Sequence, residues 1–210
     1  FLRNYQFTPR INSISYIFGK QCNCSYGVDL QYADYYSHRK ENQTSIPLHV
    51  YDAWQTTGSI YAQHSIELTN NSLLGAGLRI QKNQIAIGDH LDTNAPDYAG
   101  WQSEHLRFSD QETNFAANVG LEYSLNKNIS FYGRLGNGFR YPNIDDRIGG
   151  SGGTSLELNT QKTRDFEIGA KNNIGDFDFN LSTFLIDGKN ELAYDSDAFE
   201  NINMNSTRRY

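Results

Sequence analysis

Sulfur is scarce in this chain of 210 residues, with one Met and two Cys. No stretch approaches the roughly 18 apolar residues that a membrane helix needs. The opening Phe1-Leu2-Arg3-Asn4-Tyr5 has neither the basic start nor the apolar core of a secretory signal. Basic residues are in deficit, 18 against 24 acidic, for a formal charge of −6. With no basic stripe to neutralise phosphates, a nucleic-acid partner is not expected. Cys22 and Cys24 sit two residues apart in an expected turn, where a bridge would be strained. Two thiols alone make a poor metal site, and they read as incidental. His38, His49, His64, His90 and His105 show no zinc-ligand spacing. No metal and no cofactor is expected.

Aromatics are plentiful instead, with 14 Tyr and 12 Phe, a composition suited to pleated strands. The dominant period is two. In 114–124, Phe115, Ala117, Val119, Leu121 and Tyr123 alternate with Asn114, Ala116, Asn118, Gly120 and Glu122. The same pattern recurs at 26–33, 74–81 and 177–185, with further strands expected at 11–18, 56–69, 128–137, 162–173 and 203–210. That gives about nine strands and no convincing helix. Short turns are expected around Lys20-Gln21, Asn70-Asn71, Asn126-Lys127 and Gly175-Asp176. Long links, roughly 38–55, 88–112, 138–161 and 190–202, alternate with them. Compact soluble domains rarely carry repeated long loops, whereas a transmembrane barrel places tight turns at one rim and long loops at the other. The expected fold is therefore all-β, an antiparallel transmembrane β-barrel. A soluble β-sandwich also produces alternation and stays open as an alternative.

Three stretches carry a family resemblance. Gly136-Asn137-Gly138-Phe139-Arg140-Tyr141-Pro142-Asn143 follows the strand 129–135. Lys162–Lys171 reads as the next strand. Ser59-Ile60-Tyr61-Ala62-Gln63 is followed across a turn by Gly75-Ala76-Gly77-Leu78-Arg79. Together these resemble the barrel of TonB-dependent outer-membrane receptors, with Gly138, Phe139, Arg140, Pro142 and Asn143 matching the family signature at a strand-to-loop passage. The resemblance implies a 22-stranded barrel with short periplasmic turns and long extracellular loops. It also implies an N-terminal plug, which this chain lacks, and energy supplied by the TonB complex through that plug. Residues 1–210 would be a middle portion of such a barrel, since nine is an odd count and Asn205–Arg209 is polar for a closing strand.

The implied function is active import of a scarce nutrient across the outer membrane, a ferric siderophore before others. A small self-contained outer-membrane barrel, acting as adhesin, anchor or enzyme, is the second reading. Candidate ligand-binding residues lie on the long links: Tyr98, Trp101, His105 and Arg107, then Tyr141, Asp145 and Arg147. Aromatics offer stacking area and arginines offer bidentate anion contacts. No histidine lies between Phe139 and Leu158, which disfavours haem. Gly149-Gly150-Ser151-Gly152-Gly153 matches a nucleophile elbow formally but sits in a Gly/Ser-rich loop, without the strand and helix that chemistry needs. Asp195 and Asp197 resemble a calcium loop, with the Gly and closing Glu out of register. No catalytic residues, and no enzyme, are expected.

Overall fold

The structure, a computed structural model, describes residues 2–40, 49–90, 107–148, 155–174 and 177–210. Ten strands form one antiparallel sheet: β1 (Leu2–Phe7), β2 (Arg10–Ile17), β3 (Lys20–Arg39), β4 (His49–Thr69), β5 (Ser72–His90), β6 (Arg107–Ser124), β7 (Ile129–Arg140), β8 (Gln161–Ile174), β9 (Phe177–Asp195) and β10 (Glu200–Arg209). Among the described residues there is one helix, the five-residue α1 (Ile144–Ile148), in the link between β7 and β8.

The count of nine survives in a different sense. β1 and β2 both pair with β3 in one unbroken register, Phe7↔Leu30 continuing as Arg10↔Gly27. Pro9 has no N–H to give the ladder, yet its carbonyl still accepts from Val28 N at 3.1 Å. The two strands are one stave broken at Thr8-Pro9, so ten strands make nine staves.

Each stave pairs with its neighbour in sequence, from β3 through to β10, and among the described residues the sheet stays open. One rim carries tight turns. The first falls at Phe18-Gly19 rather than Lys20-Gln21, because Ile17 pairs with Lys20 and both turn residues take positive φ, 51° and 74°. Those dihedrals match the hairpin twist of a type I′ turn. At the other rim the links are shorter than expected, because the strands run on. β3, β4, β5 and β9 are 19 to 21 residues long, about twice what a tilted strand needs to cross a bilayer. The expected long link at 190–202 is overturned in this way: β9 reaches Asp195 and β10 starts at Glu200. Asp195 closes that tight turn by accepting from the amides of Asp197 and Ala198 at 2.9 and 3.2 Å.

The alternation sorts residues as the sequence suggests. Ile60, Phe115, Leu135 and Leu181 share the convex face and stay 59, 63, 54 and 77 % exposed. A sandwich would bury that face against a second sheet, and each such side chain left in water would forgo about 1.5–3 kcal/mol. The sandwich alternative is therefore set aside. Lipid is the solvent that suits a face of this kind.

Among the described residues the ladder has a bulge between Glu67 and Thr69, where β4 meets β5, and a longer seam between β6 and β7. β6 and β7 pair only between Ala117↔Asn137 and Ser124↔Ser130, although β6 runs ten residues further to Arg107. Where they part, the side-chain amide of Asn137 replaces a peptide. Its Nδ2 donates to Phe115 O at 2.9 Å, and its Oδ1 accepts from Ala117 N at 3.0 Å.

Candidate ligand-facing site at the barrel mouth

Along the concave face, polar residues are paired with each other rather than left to solvent. Arg79 Nη1 lies 2.6 Å from Asp29 Oδ2, Arg134 3.0 Å from Asp165, and Lys171 2.7 Å from Glu122. Gln81 and Ser59 complete the first pair, at 2.9 Å to Arg79 and 3.3 Å to Asp29. Such half-exposed pairs are worth about 0.2–1 kcal/mol each; their use is to orient side chains. Tyrosine rings lie over cross-strand glycines on the same face. A Cβ at Gly27 would stand 2.3 Å from the Tyr61 ring, and one at Gly169 would stand 2.6 Å from Tyr132. Arg79 sits over the exposed side of Tyr61, 5.9 Å from its centroid.

The stretch Gly136–Asn143 carries this wall into the mouth. Neither Gly136 nor Gly138 has positive φ, so the glycines serve close approach rather than unusual dihedrals. A Cβ would meet Asp165 Oδ1 at 2.9 Å from Gly136 and Thr163 Oγ1 at 3.0 Å from Gly138. Phe139 packs edge-on against Tyr141, centroids 5.2 Å apart, and Pro142 is fully buried. Arg140 holds both carboxylate oxygens of Asp146, at 2.8 and 3.0 Å. Asn143 and Asp146 cap each other: Asp146 N donates to Asn143 Oδ1 at 2.7 Å, and Asn143 N donates to Asp146 Oδ2 at 2.9 Å. This reciprocal arrangement satisfies amides at the start of α1.

That short helix turns inward. Ile144 and Ile148 pack on Tyr51, Ala53, Ile85 and Ile87, which form the apolar cluster inside the mouth. Arg39 from β3 donates to the carbonyl of Ile148. Asn201 from β10 donates to Asp146 O at 2.7 Å, and Asn203 brackets Asn159 with bonds of 2.6 and 3.0 Å. Arg147 is buried. Its guanidinium donates to the carbonyls of Leu156 and Leu158 (3.0 Å for the latter) and lies 4.7 Å over the Phe108 ring. Burial lowers its pKa from the ordinary value, opposed by Asp110, Asp146 and Glu112 nearby.

The expected ligand residues divide accordingly. Tyr98, Trp101 and His105 lie outside the described residues, as does the Gly149–Gly153 match. Arg107 is exposed at the first position of β6, and Asp145 is exposed on α1. Arg140 and Asn143 are exposed at the mouth. Tyr141 is committed to the fold: its hydroxyl donates to Gln81 O at 2.8 Å, and desolvation raises its pKa from the usual phenol value. Arg147 is likewise spent on loop carbonyls. Sequence reasoning missed the wall itself. A cavity of about 560 Å³ opens between Arg140 and Asn143 above and Asp29, Gln31, Gln55 and Arg79 below. The polar parity of β3 to β5 was the signal that could have found these four.

A search of curated sequences finds no match. Among solved structures, the ferric-catecholate import receptor Fiu from E. coli K12 is similar over 99 % of this chain and 34 % of its own, at 16 % identity and a TM-score of 0.69. The hemophore receptor HasR of Serratia marcescens, solved with its hemophore HasA and heme, matches 99 % of this chain and 38 % of its own, at 15 % identity and 0.71. The outer-membrane ferripyoverdine receptor of Pseudomonas aeruginosa matches over 99 % and 29 %, at 14 % identity and 0.69. These likenesses show the fold, and the chain spans about a third of the length of each. The family model described as TonB dependent receptor-like, beta-barrel, matches residues 2–210, and so the chain belongs to the TonB-dependent receptor barrels of the Gram-negative outer membrane.

Proposed function

We propose that this chain is one portion of the barrel of a receptor that actively imports a bulky, polar, scarce nutrient, with a ferric siderophore as the leading class. The observation that carries the reading is the mouth itself. A polar wall with oriented arginines, Arg79 and Arg140, faces a cavity beneath an inward-folded link. Arginine forks suit the anionic oxygens of such ligands. The similar structures include importers of ferric catecholate and ferric yersiniabactin and a copper transporter, which supports metal-laden cargo as a class.

In this reading the remaining staves and a plug belong to the full-length receptor. The TonB complex acts on that plug, and the described sheet, open at both edges, is completed by those further strands. Uptake of iron-loaded siderophores in an iron-starved strain tests it. Deleting the full-length gene should abolish uptake of one siderophore and leave the others intact, and removing TonB should abolish uptake of that one as well. Uptake indifferent to both deletions across catecholate, hydroxamate and mixed siderophores would overturn the proposal.

A further inference from the structure

On the convex face near the tight-turn rim, three side chains converge that take no part in the cavity at the mouth. Cys22 and Cys24 are alternate residues of β3 and so point the same way. Antiparallel pairing sets His64 of β4 directly opposite Cys24. The thiol sulfurs lie 3.4 Å apart. His64 Nδ1 is 3.3 Å from Cys24 Sγ and 3.7 Å from Cys22 Sγ. Ser15 of β2 adds a hydroxyl 3.1 Å from Cys24 Sγ. Both cysteines are buried, at 0 and 3 % exposure, and Tyr26 holds the imidazole edge-on at 5.3 Å between centroids.

The geometry points to a binding site for a thiophilic d¹⁰ cation, Zn²⁺ or Cu⁺, held by Cys22, Cys24 and His64 with Ser15 beside them. Metal–sulfur bonds of about 2.3 Å and metal–nitrogen bonds of about 2.0 Å give donor separations of roughly 3.5–3.8 Å around a tetrahedron. The separations of 3.4 and 3.3 Å need widen by only a few tenths of an ångström, and the third, 3.7 Å, already lies in that range. Softness selects the metal class, because two thiolates and an imidazole favour zinc and cuprous ions over hard cations.

Charge favours Zn²⁺ within that class. Two thiolates neutralise a divalent ion, whereas a monovalent one leaves a net negative site on a face that meets lipid. A disulfide is the competing fate of the pair. Residues two apart on an antiparallel strand have Cα atoms about 6.8 Å apart, the upper end of what a bridge tolerates, so the strand resists it. Binding expels one proton from each thiol to solvent and changes no oxidation state. The ion would clip the β1/β2 stave, β3 and β4 together from outside.

The test uses the full-length receptor purified from outer membranes, stripped with chelator, and loaded with Zn²⁺, Co²⁺ or, under reductant, Cu⁺. Wild type should hold one more equivalent of metal per chain than Cys24→Ser. Co²⁺ should give a near-ultraviolet thiolate charge-transfer band, and His64→Gln should weaken binding at least tenfold. Tight loading with Cu⁺ alone would assign the ion as cuprous within the same class. Equal metal in wild type and Cys24→Ser, with no Co²⁺ band, would overturn the inference, as would a Cys22–Cys24 disulfide found by mass spectrometry. The Co²⁺ band and the Cu⁺ loading are both read on wild type, so together they decide the matter even if the variants fail to fold.

Discussion

Replacing Arg147 with alanine should loosen the segment folded into the mouth while the wall stays closed. The guanidinium supplies donors to two loop carbonyls, Leu156 O and Leu158 O, and covers the Phe108 ring. Leaving a buried carbonyl without its donor costs about 1–3 kcal/mol, and the lost cation–π contact adds about 0.5–2 kcal/mol. Water can reach the mouth from above and recover part of this, so a net loss of about 3 kcal/mol is the expectation. At roughly 1.4 kcal/mol per decade, local opening should become about a hundredfold more frequent. Hydrogen–deuterium exchange on the full-length receptor reads this directly: amides of 144–148 and 155–160 should lose protection, while those of β4 and β5 keep theirs. Arg147→Lys should fall between, since an ammonium cannot fork across both carbonyls. Unchanged exchange in 144–148, or loss of protection throughout the sheet, would refute the assignment of Arg147 as the pin of this link.

Two further outcomes test the faces and the turn. Leu181→Arg, on the convex face, should cost about 2–4 kcal/mol in a refolding titration into bilayers, whereas Asn180→Arg, one residue away on the concave face, should cost far less; equal penalties would refute the facing of β9. Phe18→Asn should stabilise the first hairpin by about 1 kcal/mol, because Phe18 carries a φ of 51° that a branched or aromatic L-residue adopts at a penalty; a lower midpoint in the same titration would contradict the turn geometry.

The staves were legible because their membrane-facing halves alternate cleanly, as in Phe115–Tyr123. The upper halves were not, because alternation there changes meaning. Ile85 and Ile87 turn inward to meet Ile144 and Ile148, so apolar residues occupy the face that lower down is polar. A period-two reading then stops where the strand does not. α1 escaped notice because five residues barely exceed one helical turn, too few for a 3.6-residue pattern. Tyr141 and Arg147 looked like ligand contacts because residue type alone does not separate a loop that faces solvent from one folded back onto its own wall. The thiol pair looked incidental for a related reason. Its third neighbour, His64, lies 40 residues on, and only the β3–β4 register brings it alongside.

The seam between β6 and β7 divides the wall mechanically. Below Asn137, two staves are joined by a full ladder; above it, one side-chain amide stands at the fork. Outward load at the mouth would fall on those two hydrogen bonds and on the side-chain ties above them, from Thr160 and Lys162 to Glu112 and from Arg147 to Phe108, with no peptide ladder to share it. The upper wall is therefore held across this line by side chains, and the lower half by backbone.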